Sequence, residues 1–142
     1  FTKEDFSTFH PGGKLGKAFM RVEDLMHGKK ELPLVKTSAA MREVLLAMTA
    51  RHFGCAGIVD AKGELKGIIT DGDLRRHMSP KLLGKKAADV MTKNPKTIRP
   101  SALAVEGLAV MNERSITSLF VVEKGRPVGI LHIHDCLRAG IA

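Results

Sequence analysis

The chain has 142 residues, 44% of them hydrophobic, which is enough for one compact domain or two small intertwined ones. Its formal net charge of +8 raises the question of a nucleic-acid partner, but basic residues are interleaved with acidic ones and neither Trp nor Tyr is present for base stacking. The apolar runs are far shorter than the about 20 residues of a membrane span. We therefore expect no nucleic acid and no membrane as partners, and one pocket for an anionic ligand.

Hydrophobic periodicity predicts two similar runs of elements along the chain. Each run has an extended piece, a long helix, a β-hairpin and a short helix, so each half is expected to fold as β-α-β-β-α. In the first half, the extended piece is predicted at 33–36 and the long helix between a Thr37 or Ser38 cap and Gly54. The hairpin is predicted at 55–60 with 64–70, and the short helix at 71–78. In the second half, the extended piece is predicted at 96–98, the long helix at 101–114, the hairpin at 118–123 with 127–132, and the short helix at 134–139.

The two halves also repeat each other residue by residue. Residues 67–76 align with residues 129–138, an offset of 62, and the same offset carries Gly57 onto Leu119. Asp24-Leu25-Met26 matches Asp89-Val90-Met91 at an offset of 65. We expect the three-residue difference to be absorbed in the loop at 28–32.

A single unit of about 60 residues buries too little surface to be stable alone, so the two units are expected to pack sheet against sheet. The fold class is therefore α/β (α+β), a pseudo-symmetric pair of β-α-β-β-α repeats. Residues 1–20 are interpreted as a linker, 21–80 as the first repeat and 81–142 as the second. This packing predicts two clefts between the repeats.

Residues 70–76, Thr-Asp-Gly-Asp-Leu-Arg-Arg, combine a hydroxyl, the backbone amides of a helix start and two arginines. Such a combination suits an anion. The alternative is an ordinary N-cap, in which Asp71 or Asp73 only closes the helix while Arg75 and Arg76 lie in water. The residues alone leave both interpretations open.

His132 and His134 are two positions apart, so on an extended strand their side chains would lie on the same face and could share a metal ion. No third ligand has a suitable spacing, and we predict no metal site. The remaining interpretations are a polar lining for the second cleft and histidines without a function.

Two cysteines, Cys55 and Cys136, are too few for a disulfide framework and are interpreted as reduced thiols of a cytoplasmic protein. The chain opens on Phe1, with neither a Met nor a secretory signal, and we expect an upstream part of the protein to precede it.

Residues 67–73, Gly-Ile-Ile-Thr-Asp-Gly-Asp, together with Asp24-Leu25-Met26 and its twin Asp89-Val90-Met91, resemble the CBS domain. The resemblance extends from about Val22 to Gly140 and implies a tandem pair that binds a nucleotide between the repeats. It also implies that Thr70 contacts phosphate and that Asp73 contacts the ribose hydroxyls.

The second repeat departs from this pattern, because it has His132 where the first has Thr70, although it keeps Asp135. The first cleft is therefore the better candidate. The full set of candidate ligand-binding residues is Thr70, Asp71, Asp73, Arg76, Thr117, Ser118, His132, His134 and Asp135.

Three segments, at 9–17, 70–76 and 131–140, are similar to the arabinose-5-phosphate isomerase family, whose members have a sugar isomerase (SIS) domain followed by a CBS pair. The resemblance implies a parent that interconverts D-ribulose 5-phosphate and D-arabinose 5-phosphate for Kdo, in lipopolysaccharide or capsule synthesis. His10 precedes Pro11-Gly12-Gly13, a tight turn, and its imidazole would move the proton in the full-length parent. In this chain the alternative for His10 is a flexible tail, and we expect no isomerase activity.

The family also implies the ligands and partners of the pair. We expect no cofactor and a regulatory nucleotide, with CMP-Kdo preferred because a nucleotide with a carboxylated sugar suits a basic cleft. The alternatives are an adenine-nucleotide sensor that binds AMP or ATP, and a purely structural oligomerisation module. The expected assembly is a homodimer formed through the helices at 71–78 and 134–139, compatible with a tetrameric parent.

Overall fold

The computed structural model describes residues 18–141. His10 and the turn predicted after it lie outside the described residues. No helix between residues 18 and 141 is long and apolar enough to cross a bilayer.

Six α-helices and seven strands lie within the described residues. The helices are α1 (Val22–Leu25), α2 (Met41–Arg51), α3 (Asp71–Arg76), α4 (Ala87–Val90), α5 (Ala104–Arg114) and α6 (Ile133–Arg138). The strands are β1 (Leu34–Lys36), β2 (Cys55–Val59), β3 (Leu65–Thr70), β4 (Thr92–Lys93), β5 (Thr97–Ile98), β6 (Ser118–Glu123) and β7 (Arg126–His132). Short 3-10 helices lie at Lys29–Glu31 and Leu82–Gly84. The predicted β-α-β-β-α order is confirmed in both repeats, whereas α1, α4 and β4 were not predicted.

The strands form two sheets, one for each repeat. The first has the order β1-β2-β3-β4 and the second the order β5-β6-β7. In both sheets the first strand runs parallel to the second, and the hairpin that follows is antiparallel. Buried side chains from both repeats, among them Cys55, Phe120 and Ile130, share one hydrophobic cluster. The sheets therefore pack through a common core, as the sequence predicted.

The segment that precedes each repeat packs against the other repeat. The backbone N–H of Val22 in α1 donates to the carbonyl of Ala102 at 2.8 Å, and Val22 is fully buried in the core of the second repeat. In the same way the N–H of Ala87 in α4 donates to the carbonyl of Ala39 at 2.8 Å, and β4 pairs with β3. This exchange ties the two repeats together. The linear boundaries at residues 20 and 80 stay a prediction.

The exchange explains the glycine that opens the motif in each repeat. A side-chain carbon on Gly67 would lie 2.8 Å from the carbonyl oxygen of Thr92, and one on Gly129 would lie 2.8 Å from that of His27. Because backbone atoms cannot move aside as a side chain can, only glycine lets the exchanged segment approach.

The repeat register predicted from the sequence is wrong by one residue over the first strand of the hairpin. Gly57 pairs with Leu34, and Phe120 pairs with Thr97 in the same way, so the equivalent of Gly57 is Phe120 and not Leu119. The offset there is 63 because the hairpin turn of the second repeat is one residue shorter. The three-residue difference is therefore divided between this turn and the loop before β1.

The predicted ends of α2 are also wrong. The helix begins after Ala40, which makes no side-chain cap, and neither Thr37 nor Ser38 lies at this position. Its last residue is Arg51, and the C-cap that follows is His52, which adopts a left-handed conformation with φ of 61° two residues before the predicted Gly54. The N–H of Met41 instead donates to the carbonyl of Lys85, in the segment exchanged between repeats. A tertiary contact thus replaces the local cap.

Candidate functional site

A cavity of about 560 Å³, the first cleft, opens between the repeats. Four segments supply its walls: the chain that leads into β2, the end of β3 with the start of α3, β4 with the chain that follows it, and the end of α5 with the start of β6. Their polar lining residues are Thr70, Asp71, Arg75, Thr92, Asn94, Lys96, Arg114, Ser115, Thr117 and Ser118. The apolar surface comes from Phe53, Cys55, Ile68, Ile116 and Phe120, with the glycines and a proline between them.

Four predicted site residues, Thr70, Asp71, Thr117 and Ser118, are brought together in this cleft. Most of the other lining residues were not predicted from the sequence. A signal was present for Thr92, because it directly follows the repeated Asp-x-Met segment. Only the folded chain shows that this segment crosses to the other repeat.

The charges lining the first cleft are mainly positive. Arg75, Lys96 and Arg114 are exposed, and within residues 18–141 none of them forms an ion pair. Asp71 is the acidic residue of the lining. Unpaired cations above an apolar floor can bind an anionic group without first breaking an internal ion pair.

The wall of the first cleft is fixed by a contact between the repeats. The hydroxyl of Ser118 donates to the backbone carbonyl of Phe53 at 3.0 Å. The thiol of Cys55 lies beside them, and burial raises its pKa to about 12. Because a thiol with such a pKa is not ionised near neutral pH, Cys55 is a wall residue and not a nucleophile.

Asp73 does not line the first cleft but lies buried beneath it, with 3% of its surface exposed. One carboxylate oxygen accepts from the backbone N–H of Thr70 at 2.9 Å and from its hydroxyl at 3.2 Å. The other accepts from the Thr92 hydroxyl at 2.7 Å and from the guanidinium of Arg76. Four donors fill the acceptor sites of the carboxylate. We call this arrangement the Asp73 clip.

The Asp73 clip also changes the pKa of its carboxyl group. Burial raises the pKa, but the hydrogen bonds from Thr92, Thr70 and Arg76 outweigh it, and the pKa lies below its ordinary value of 3.8. The backbone N–H of Asp73 donates back to the Thr70 hydroxyl at 3.3 Å, which completes a capping box at the start of α3. The N-cap of α3 is therefore Thr70, and Asp73, at the third helical position, completes the box with its carboxylate, while Arg76 pairs with Asp73 and does not lie unpaired in water. A ligand contact by Asp73 or Arg76 stays a prediction.

The second repeat contains the same clip, built around Asp135. This carboxylate accepts from the backbone N–H of His132 at 3.3 Å and from the guanidinium of Arg138 at 2.6 Å. In place of Thr92, the exchanged segment supplies His27, whose Nε2 lies 2.8 Å from the same carboxylate. The Asp135 clip thus repeats the backbone geometry of the first with a different crossing residue.

The second cleft differs from the first in the size of its side chains. The strand registers and the matching helix ends identify the equivalent positions. Where the first cleft has Thr70, Gly72, Thr92 and Ile116, the second has His132, His134, His27 and Phe53.

The two predicted histidines of this cleft are not on one strand. β7 ends at His132 and α6 begins at Ile133, close to the predicted boundary, so the condition of a shared strand face is not met. The rings nevertheless stack, with centroids 4.9 Å apart, because the turn into α6 brings His134 back over His132. In the part of the chain that the structure describes, no three His, Cys, Asp or Glu side chains are placed to hold a metal ion.

Two β-α-β-β-α units that exchange segments and pack through a common core define a tandem-repeat α/β module. Comparison with known protein families matches the CBS domain to residues 22–80 and again to residues 87–142. The chain belongs to the CBS domain family.

Similar proteins agree with this assignment. The chain is 46% identical to arabinose 5-phosphate isomerase KdsD of Escherichia coli K12 and 44% identical to KdsD of Yersinia pestis. Each match covers 99% of this chain and 44% of the relative, so the chain spans less than half the length of these proteins. Among solved structures, CBSX2 of Arabidopsis thaliana in complex with AMP is 26% identical, with a TM-score of 0.74 over 85% of this chain and 96% of that one.

Proposed function

We propose that this chain is the regulatory nucleotide-binding module of an arabinose-5-phosphate isomerase, and that an anionic nucleotide binds in the first cleft. The observation that carries the proposal is a set of three cations, Arg75, Lys96 and Arg114, which have no ion pair among the described residues and surround a cavity of about 560 Å³. A volume of about 300–1,000 Å³ is typical of small-molecule sites.

The chemistry of the walls favours a nucleotide over a simple anion. Phe53, Ile68 and Phe120 offer an apolar surface on which a base can pack. The cations across the cleft suit phosphate and carboxylate oxygens. The hydroxyls of Thr70 and Ser118 already donate to Asp73 and to the Phe53 carbonyl, so they can accept a hydrogen bond from the ligand, or donate to it once those bonds are given up. In this proposal Thr70, Asp71, Thr117 and Ser118 contact the ligand, as the sequence predicted.

The ribose contact that the family resemblance implies for Asp73 requires a change in the Asp73 clip. Its carboxylate already accepts four hydrogen bonds, so a ribose hydroxyl must displace one donor. Arg76 is the donor nearest to solvent, since 65% of its side chain is exposed. Ligand binding would then release Arg76 toward the solvent or the ligand.

Two ligands are supported by different observations. AMP is bound by the related CBSX2, which supports an adenine nucleotide. The similarity to KdsD supports CMP-Kdo, since an end product of the pathway is a natural regulator of an early enzyme. We propose CMP-Kdo as the regulatory ligand, AMP or ATP as the alternative, and no other cofactor.

The proposal extends to the parent protein. Its sugar isomerase domain would interconvert D-ribulose 5-phosphate and D-arabinose 5-phosphate in the cytoplasm, and His10 would act only there, as a general base. The pathway would be Kdo synthesis for lipopolysaccharide or capsule. The 142-residue chain would bind the regulator without isomerase activity.

A second candidate function, structural oligomerisation, is favoured by exposed apolar side chains. Leu137 in α6 is 53% exposed, and Met78, just beyond α3, is 67% exposed. These two helices were predicted to form the face of a homodimer. Sedimentation of the chain at micromolar concentration is expected to show a dimer, and only monomer would contradict this assembly.

Calorimetric titration with CMP-Kdo, AMP, ATP and CMP tests nucleotide binding. We expect Arg114→Ala to weaken the best ligand about ten-fold at low salt and less at high salt, because exposed charges are screened. Arg51→Ala is the matched control, since Arg51 ends α2 as Arg114 ends α5, on the side of the second cleft. Equal losses in both variants, or no binding of any nucleotide, would refute the proposed site.

A further inference from the structure

Four rings form a continuous cluster in the second cleft. The His27 and Phe53 rings meet edge to face with centroids 5.0 Å apart, and Phe53 lies 6.3 Å from His132. His132 in turn stacks on His134. Because these rings stand where the first cleft has two threonines, an isoleucine and a glycine, the chain fills the second cleft with its own side chains. We call these four residues the ring cluster.

Hydrogen bonds hold the ring cluster in place at two points. His27 lies between two carboxylates, with Nε2 2.8 Å from Asp135 and Nδ1 3.2 Å from Glu31. His132 makes the other contact, because its Nδ1 accepts from the backbone N–H of His134 at 3.1 Å and so caps α6. A ring nitrogen can accept only when it carries no proton. The cap on α6 therefore requires His132 to be unprotonated at Nδ1.

The surroundings of His132 also disfavour its charged form. Burial and the neighbouring His134 lower the pKa of His132 below its ordinary value of 6.5. His27 and Arg138 act in the same direction, and Asp135 opposes them. These four residues, with Phe53 against the ring, are the groups that face His132. Since the folded state favours neutral His132, this residue lowers stability when the pH falls below 6.5.

Phe53 belongs to both clefts. Its ring packs in the ring cluster, while the same residue lines the first cleft and its carbonyl accepts from Ser118. A displacement of the His132 ring removes one of the contacts that hold Phe53. The position of the first-cleft wall thus depends on the state of the second cleft.

We propose that the second cleft is closed as a ligand site and is instead a proton-responsive site, whose state Phe53 transmits to the first cleft. On protonation His132 loses the hydrogen bond from the His134 amide and gains a positive charge beside Arg138. Its ring then leaves the stack, and Phe53 becomes less fixed. The effect on ligand affinity rests on the proposed function, whereas the response to protons does not.

NMR titration of the 142-residue chain between pH 8 and pH 5 tests the proton response without any ligand. We expect the His132 ring to titrate with a midpoint below 6.5, and the Phe53 ring and the Ser118 amide to shift with the same midpoint. In His132→Asn the side-chain oxygen can still cap α6 but cannot take up a proton, so this transition should vanish. Resonances of Phe53 that do not follow His132, or that keep the transition in His132→Asn, would overturn the proposal.

His52→Asn is the matched control for the titration. His52 is exposed, directly precedes Phe53 and has φ of 61°, a conformation that asparagine tolerates. Removing this imidazole should leave the midpoint at Phe53 unchanged. If the transition disappears in His52→Asn, the proton is sensed outside the ring cluster and the proposal is wrong.

The transmitted effect is measured as a ratio of dissociation constants. From pH 7.5 to pH 5.5 we expect the affinity of the wild type for the best nucleotide to fall about five-fold more than that of His132→Asn. Ligand protonation affects both proteins equally and cancels in the ratio. An equal fall in affinity in the wild type and in His132→Asn would refute transmission through Phe53. If no nucleotide binds at any pH, the proposed function fails, while the NMR titration still decides the proton response.

Discussion

Arg75 of the first cleft corresponds to Leu137 of the second, and Thr70 corresponds to His132. The backbone framework is nevertheless the same on both sides, down to the carboxylate clips of Asp73 and Asp135. The comparison shows that the duplicated part of the molecule is the framework that joins the repeats. The side chains that face the clefts have diverged, giving one open basic cavity and one cluster of rings in contact.

The largest expected effect concerns the shared framework. A methyl group on Gly67 or Gly129 would lie 2.8 Å from a backbone carbonyl of the exchanged segment. We expect Gly67→Ala and Gly129→Ala each to cost about 3 kcal/mol and to lower the unfolding temperature by about 10 °C. Gly84→Ala is the control, since nothing lies within 4 Å of the added carbon. A loss of stability in only one of the two variants would contradict the structural equivalence of Gly67 and Gly129.

The stability cost of an alanine substitution should differ more between Asp73 and Asp135 than between the two glycines. Asp73 is buried with four donors, whereas the carboxylate of Asp135 is more exposed. We expect Asp73→Ala to cost about 2–4 kcal/mol and Asp135→Ala about half as much, measured by urea denaturation. Equal costs would show that burial does not distinguish the clips.

Acid should weaken the first clip. The pKa of Asp73 is lowered below 3.8, so its contribution to stability is complete above that pH and is lost as the pH falls through the folded-state value. Comparing the unfolding free energy of the wild type with that of Asp73→Asn between pH 6 and pH 2 measures this contribution. We expect the two curves to converge at the acidic end, and a constant gap would contradict the prediction.

A smaller effect is expected for the hydrogen bond that fixes the first-cleft wall. Ser118→Ala removes the donor to the Phe53 carbonyl and should cost about 1 kcal/mol. Thr117→Ala, beside it in the same lining, is the control because Thr117 is exposed. Thermal unfolding of both variants makes the comparison, and an equal, negligible change in each would show that the contact adds no stability.

Sequence reasoning predicted the regular elements well, because hydrophobic periodicity is a local signal. The strands at 118–123 match β6, and the helix predicted at 101–114 shares its end with α5. The exchanged segments could not be placed in this way. The repeat of Asp24-Leu25-Met26 in Asp89-Val90-Met91 marked them, but nothing local shows that each packs on the other repeat.

The candidate site was predicted in part for the same reason. Thr70 is the last residue of β3 and Ser118 the first residue of β6, strand ends that could be located from the sequence, and the structure places both in the first cleft. The burial of Asp73 depends on Thr92, which is 19 positions away, and the ring cluster depends on His27, which is 108 positions from Asp135. Such long-range contacts arise because each exchanged segment packs on the other repeat, and the spacing of residues in the sequence does not reveal them.

The difference between the clefts is tested most directly by the stoichiometry and location of nucleotide binding. Titration of CMP-Kdo, or of AMP, into the 142-residue chain should saturate at one ligand per chain. The backbone amides of Thr70, Ser115 and Ser118 should shift on binding, while those of His27 and His134 move less. Two ligands per chain, or the largest shifts at His27 and His134, would contradict the account.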